Sequence, residues 1–167
     1  MDGNNNDNDR FLYVGRLSFF PKIFHSDYFE IGLNYAQSKD ERVSFDNDFI
    51  NNFNGTRALT GADFRLVLKK FLASGEFLRA KLEPRNQNEI TPKGFQATVG
   101  YSINKKSQLL LRWDSFDADN VQPKSEWLIL GYNFFPTQLT ELQVNYVIPV
   151  DETSDDNQLL INLQFSF

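Results

Sequence analysis

The only histidine of the chain, His25, stands beside Ser26 and Asp27, the three residue types of a hydrolytic triad. A triad holds its imidazole between nucleophile and carboxylate, and three consecutive turn residues do not supply that geometry. Carboxylates gather at Asp151, Glu152, Asp155 and Asp156, oxygen donors suited to calcium, but without the glycine-centred spacing of an EF-hand loop. A solvated acidic loop is the expectation there. Opposite charges stand two apart at Asp63 and Arg65, and again at Arg112 and Asp114. On an extended chain a spacing of two puts both members on one face. They can line an aqueous passage or form a wall ion pair without further role. There is no cysteine, hence no disulfide and no thiolate metal site. Nor is there a glycine-rich phosphate loop or cofactor motif. The expectation is a protein with no catalytic residue, no metal and no cofactor, and not an enzyme.

The elements that carry these charges are strands, because apolar and polar residues alternate with period two. Phe11, Tyr13, Gly15, Leu17 and Phe19 share a face, followed by Phe29, Ile31, Leu33 and Tyr35, then by Ala62, Phe64, Leu66 and Leu68. A fourth segment, 72–82, is untidy, with Glu76 as its clearest polar-face residue. The pattern sharpens in Phe95, Ala97, Val99 and Tyr101, in Leu109, Leu111 and Trp113, and in Leu128, Leu130, Tyr132 and Phe134. Leu142, Val144 and Tyr146 follow, and Leu159, Ile161, Leu163, Phe165 and Phe167 close the chain. That predicts about nine strands of roughly ten residues, the length a tilted strand needs to cross a bilayer.

The connections alternate in length. Short ones are expected at 21–27, 69–70, 104–106 and 136–138, and long ones at 38–58, 83–92, 117–124 and 149–156. Short turns on one side and long loops on the other are the rhythm of a membrane barrel. Three of the short turns carry lysine: Lys22, Lys69 with Lys70, and Lys105 with Lys106. The long loops hold Asn, Asp, Glu, Gln and Pro.

Composition agrees with this reading. Aromatic residues make up 15 % of the chain, charged residues 23 %, and the formal net charge is −5. That balance excludes a nucleic-acid binder of the usual basic kind. Mean hydropathy is −0.45, and no window approaches the roughly 20 apolar residues of a membrane helix. A membrane barrel escapes such a test because its apolar residues alternate with polar ones. The opening segment 1–9, rich in Asn and Asp, has neither the basic nor the apolar region of a signal peptide. It reads as a disordered outer-loop remnant of a chain whose natural start lies upstream.

The face opposite the apolar one carries Arg16, Glu30, Asp63, Arg65, Lys69, Glu76, Arg112, Asp114 and Glu141. Ionised side chains are costly to enclose without water or a partner, so these nine are the candidate pore lining. The terminal run Leu159, Ile161, Leu163, Phe165 and Phe167 resembles the outer-membrane sorting signal, in which assembly machinery reads the last strand as an unpaired edge by strand addition.

Several segments in order resemble the phosphate-selective porin O and P family. They are Gly15-Arg16-Leu17-Ser18 followed by Pro21, Glu30-Ile31-Gly32-Leu33-Asn34-Tyr35, Gly61-Ala62-Asp63 and Gly75-Glu76-Phe77-Leu78. Gly94-Phe95 with Gly100-Tyr101, Leu111-Arg112-Trp113-Asp114, Leu130-Gly131-Tyr132-Asn133 with Pro136, and Gln143-Val144-Asn145-Tyr146 complete the series. The resemblance implies an all-β, antiparallel, up-and-down transmembrane barrel of sixteen strands, of which this chain holds the C-terminal part. It further implies a homotrimeric porin in the outer membrane of a Gram-negative bacterium, in contact with membrane lipid and the barrel assembly machinery. Small anionic or neutral solutes, possible phosphate among them, would diffuse through it. The mixed signs of the polar face favour a general solute channel over strong anion selectivity. Two alternatives stand beside it: a non-conducting outer-membrane barrel serving as anchor or receptor, and a soluble β-barrel that binds a small ligand. An outer-membrane phospholipase would need its histidine on the barrel wall, and His25 falls in a turn.

Overall fold

A computed structural model of the chain describes residues 11–22, 27–43, 53–85, 87–151 and 156–166. The opening segment 1–9, His25 and the terminal Phe167 lie outside them. Nine strands follow one another: β1 (Tyr13–Phe19), β2 (Tyr28–Val43), β3 (Phe53–Leu68), β4 (Phe71–Pro84), β5 (Lys93–Asn104), β6 (Ser107–Asp117), β7 (Ser125–Thr137), β8 (Thr140–Pro149) and β9 (Gln158–Phe165). Each pairs antiparallel with its neighbours in sequence, in the order β1 to β9, and no helix occurs among the described residues. The architecture is therefore the expected all-β, up-and-down meander. The sheet is open, with β1 and β9 as its edges.

Local chemistry sets the short turns. Lys69 takes a left-handed backbone, φ 54°, to close the tight β3–β4 connection. Asn104 Oδ1 accepts the Lys106 backbone N–H at 2.7 Å across the β5–β6 turn, the side-chain mimicry for which Asn is favoured in turns. Thr137 Oγ1 does the same for Leu139 N–H at 3.2 Å between β7 and β8.

Strand pairing sorts the side chains into two faces. On one, a transverse row of Cα partners carries Ile31, Phe64, Gly75, Ala97, Trp113, Leu128 and Ile148. The next carries Phe29, Leu66, Ala73, Val99, Leu111, Leu130, Tyr146 and Leu159. This face forms a continuous apolar belt, and it is bare: Phe64 is 42 % exposed, Val99 54 %, Tyr132 37 % and Ile161 66 %. The belt explains the untidy fourth strand. A Cβ on Gly75 would lie 2.7 Å from Phe64 Cε1, so the Phe64 ring occupies the place of the missing side chain, while Leu72, Leu78 and Leu82 put apolar groups on the other face too.

No dry core backs the sheet. Among the described residues only Phe53, Leu82, Pro92 and Ala118 are buried apolar side chains. Phe53 and Leu82 pack with Ala80 and Ile90 near the far ends of β3 and β4. These ends correct the expected 38–58 loop, much of which is strand. Ser38 pairs with Arg57, Lys39 with Thr56, Asp40 with Gly55 and, past an irregularity, Val43 with Phe53. Apolar alternation stops where the belt stops, but backbone pairing does not need apolar side chains and continues beyond it.

Candidate pore lining on the polar face

The second face collects the charges in two adjacent transverse rows. One runs Ser18, Gly32, Asp63, Glu76, Gln96, Asp114 and Trp127. The other runs Glu30, Arg65, Ser74, Thr98, Arg112 and Ile129. Carboxylates predominate in the first and guanidinium groups in the second. Each charge sits on a strand whose opposite side belongs to the apolar belt, which fixes the direction in which it points.

The densest cluster spans β1 to β3. Arg16 on β1 reaches across β2 to Asp63 on β3, with Nη1 donating to Oδ2 at 2.7 Å and Nη2 to Oδ1 at 2.9 Å. Nη2 also donates to Glu30 Oε1 at 3.1 Å, Nη1 to Asn34 Oδ1 at 2.9 Å and Nε to Ser18 Oγ at 3.2 Å. Asn34 Nδ2 donates to Asp63 Oδ2 at 2.8 Å, and the Ser18 and Tyr28 hydroxyls donate to the two oxygens of Glu30. Reaching over a whole strand is possible because Gly32 stands between. A Cβ there would meet Asp63 Oδ2 at 2.5 Å and Arg16 Nη2 at 2.6 Å. The bidentate fork geometry is one that only arginine offers.

Elsewhere the polar face is looser. Arg112 Nε donates to Asp114 Oδ1 at 2.6 Å along β6. Gln96 Nε2 donates to Glu76 Oε2 at 3.2 Å, and Gln143 Nε2 to Glu141 Oε1 at 2.8 Å. Glu76, Glu141 and Arg65 have no ion pair among the described residues. Two open depressions of about 220 Å³ each lie here. One is lined by Glu76, Gln96, Arg112, Asp114 and Trp127, the other by Thr98, Arg112, Asn133, Gln143 and Asn145. Apolar side chains share both walls, Leu78, Phe95 and Phe116 in the first and Leu110 and Ile129 in the second, and the polar ones can exchange hydrogen bonds with water.

Eight of the nine expected lining residues thus share one face: Arg16, Glu30, Asp63, Arg65, Glu76, Arg112, Asp114 and Glu141. Lys69 is the exception. Its parity along β3 pointed inward, but it is a turn residue past the end of the strand, where strand alternation no longer applies. Of the terminal run, Leu159, Ile161, Leu163 and Phe165 lie on the apolar face of the edge strand β9, all more than half exposed. The participation of Ser18 and Tyr28 in the Arg16 cluster, and the part played by Gly32, were not read from the sequence. Only the register brings them together.

The acidic loop residues act on the backbone. Asp119 Oδ2 accepts the Thr91 N–H at 2.7 Å and Asp151 Oδ2 the Glu126 N–H at 2.6 Å. Glu152 and Asp155 lie outside the described residues. Among the described residues no group of three or more acidic or histidine side chains is placed to hold a metal ion. Compared with protein-family models the chain gives no match, and compared with curated proteins it gives none either.

Proposed function

We propose that the chain forms the wall of an outer-membrane β-barrel of porin type, enclosing a water-filled channel for passive diffusion of small solutes. One observation carries the reading. A nine-stranded antiparallel sheet has a bare apolar belt on one face, ionisable groups on the other and, among the described residues, no dry core behind either. Lipid against the belt and water against the charges satisfy both faces at once. The ten-residue β8 extends for about 33 Å at the usual rise per residue, which at the usual barrel tilt covers roughly the apolar thickness of an outer membrane. β1 and β9 run in the same direction, so an all-antiparallel barrel closes between them only through an odd number of further strands. Seven would give the sixteen of the resembled family.

The polar face carries Arg16, Arg65 and Arg112 against Glu30, Asp63, Glu76, Asp114 and Glu141. With carboxylates in the majority, a general solute pathway fits this wall better than one specialised for phosphate. The test is ion current across planar bilayers after adding the protein purified in detergent from cells that produce it. Stepwise conductance is expected, and complete absence of current would sink the channel. The paired extension of β2, β3 and β4 beyond the belt, with its own small cluster around Phe53, favours a second reading. It would be a rigid surface lobe on a non-conducting barrel, and absence of current with retained membrane insertion would select it.

A further inference from the structure

The two ends of the sheet differ in how their cations are partnered. At the long-loop end several cations are held by carboxylates, Arg57 by Asp40 at 3.1 Å, Lys81 by Glu83 and by Glu89, and Lys124 by Glu126 at 2.8 Å, while Arg79 and Lys93 have no ion pair among the described residues. At the short-turn end stand Lys22, Lys69, Lys70, Lys105 and Lys106, all exposed, and none has an ion pair among the described residues. The carboxylate within these turns, Asp27, is engaged by the backbone N–H of Lys69 at 2.7 Å. Glu141, near the start of β8, lies on the polar face with Gln143.

These lysines adjoin the aromatic edge of the apolar belt. Phe71 and Tyr101 lie with ring centroids 5.1 Å apart, and Lys70 Nζ sits 5.9 Å from the Tyr101 ring centroid. Lys70 Nζ also donates to the Ile103 carbonyl at 3.3 Å, and Lys106 Nζ to that of Pro136 at 3.2 Å. Between the two lysine turns lies a cavity of about 510 Å³. Ile103 and Phe135 give it a largely apolar wall, Lys70 and Lys105 stand at it with Asn104 and Gln108, and no carboxylate lines it. Lys70 thus stands at the apolar, aromatic edge of the belt, while Ser102 and Gln108 continue the polar face.

We propose that this rim binds the anionic headgroups of phospholipids in the leaflet at the short-turn side, with Lys70 and Lys105 as the principal contacts. The inference rests on the membrane reading above. Lysine stems lie along the belt while their ammonium groups reach the headgroup level, and each adds to attraction for an anionic surface. The phosphate of the lipid takes the place that carboxylates take at the opposite end.

The test is native mass spectrometry of the purified protein reconstituted in phosphatidylcholine doped with phosphatidylglycerol, counting retained lipids of each kind. Phosphatidylglycerol is expected to be retained at least about fivefold above its share of the mixture, an effect of the size one lysine gives at an anionic surface. The double variant Lys70→Gln/Lys105→Gln should bring the ratio to about unity, and molar salt should lower it. Lys124→Gln, at the other end, should leave it unchanged. Equal retention of the two lipids by the wild-type protein would overturn the inference, as would displacement of the retained lipid by millimolar inorganic phosphate, which would mark a soluble-anion site. Failure to enter phosphatidylcholine vesicles at all would instead break the membrane reading on which the inference stands.

Discussion

The first three strands and the last three present the same apolar belt but very different polar faces. On β1 to β3, Arg16, Glu30, Asn34 and Asp63 form one hydrogen-bonded cluster that crosses a whole strand. On β7 to β9 the two charged rows of that face end in Trp127 and Ile129, and the polar residues of the face are Asn133, Gln143, Asn145, Asn162 and Gln164, with Glu141 as the one ionised member. The contrast teaches that the two faces answer to separate demands. On the membrane reading proposed above, the belt is uniform because a lipid surface asks the same of every strand. The polar face varies along the sheet because water accepts a braced charge cluster and a row of amides equally well.

The largest effects should ignore the contrast. Ile31→Arg in the first region and Leu130→Arg in the last each place a charge in the belt, and each should lower folding stability in bilayers by about 2–4 kcal/mol. Reversible unfolding in vesicles measures this. A large inequality between the two would mean that the belt is not one lipid-facing surface. The next effect should separate the regions. Gly32→Val forces a side chain into the space shared by Arg16 and Asp63 and should cost about 2 kcal/mol. Asn162→Ser, on the amide-lined wall, should stay within about 0.5 kcal/mol of wild type. Equal losses in the two variants would show that the Arg16 cluster braces nothing.

Selectivity sharpens the same comparison. Arg16→Gln leaves Glu30 and Asp63 without their shared cation, so reversal potentials should move towards cation preference. Glu141→Gln should move them the other way and by less, since it removes one isolated charge. An unchanged reversal potential for Arg16→Gln would place the cluster off the conduction path. The smallest effect is Lys69→Gly, which relieves a left-handed backbone at φ 54°. Stabilisation by about 0.5 kcal/mol is expected after allowing for the greater freedom of glycine in the unfolded chain.

Legibility in the sequence followed the strength of alternation. β5 was the clearest because most of its belt residues are large and the facing residues are polar or small, as in Phe95 to Tyr101 against Gln96 to Gly100. β4 was blurred by Ala73 and Gly75 in the belt and by leucines on the reverse face. The outer halves of β2 and β3 were invisible because Ser38, Lys39 and Asp40 pair through the backbone, which leaves no hydrophobic trace. Lys69 shows the opposite error, since parity was carried one residue past the end of its strand.

By itself, the sequence determined the strand count, the two-faced character of each strand and, Lys69 apart, which charges share a face, because period-two alternation is a property of one strand alone. Register was decided by the tertiary structure. It put Arg16 within reach of Asp63 over Gly32, set Phe64 across Gly75 and joined Ser18 and Tyr28 to Glu30. Those contacts depend on how one strand slides against the next, and a slide by two residues preserves every face while changing every partner.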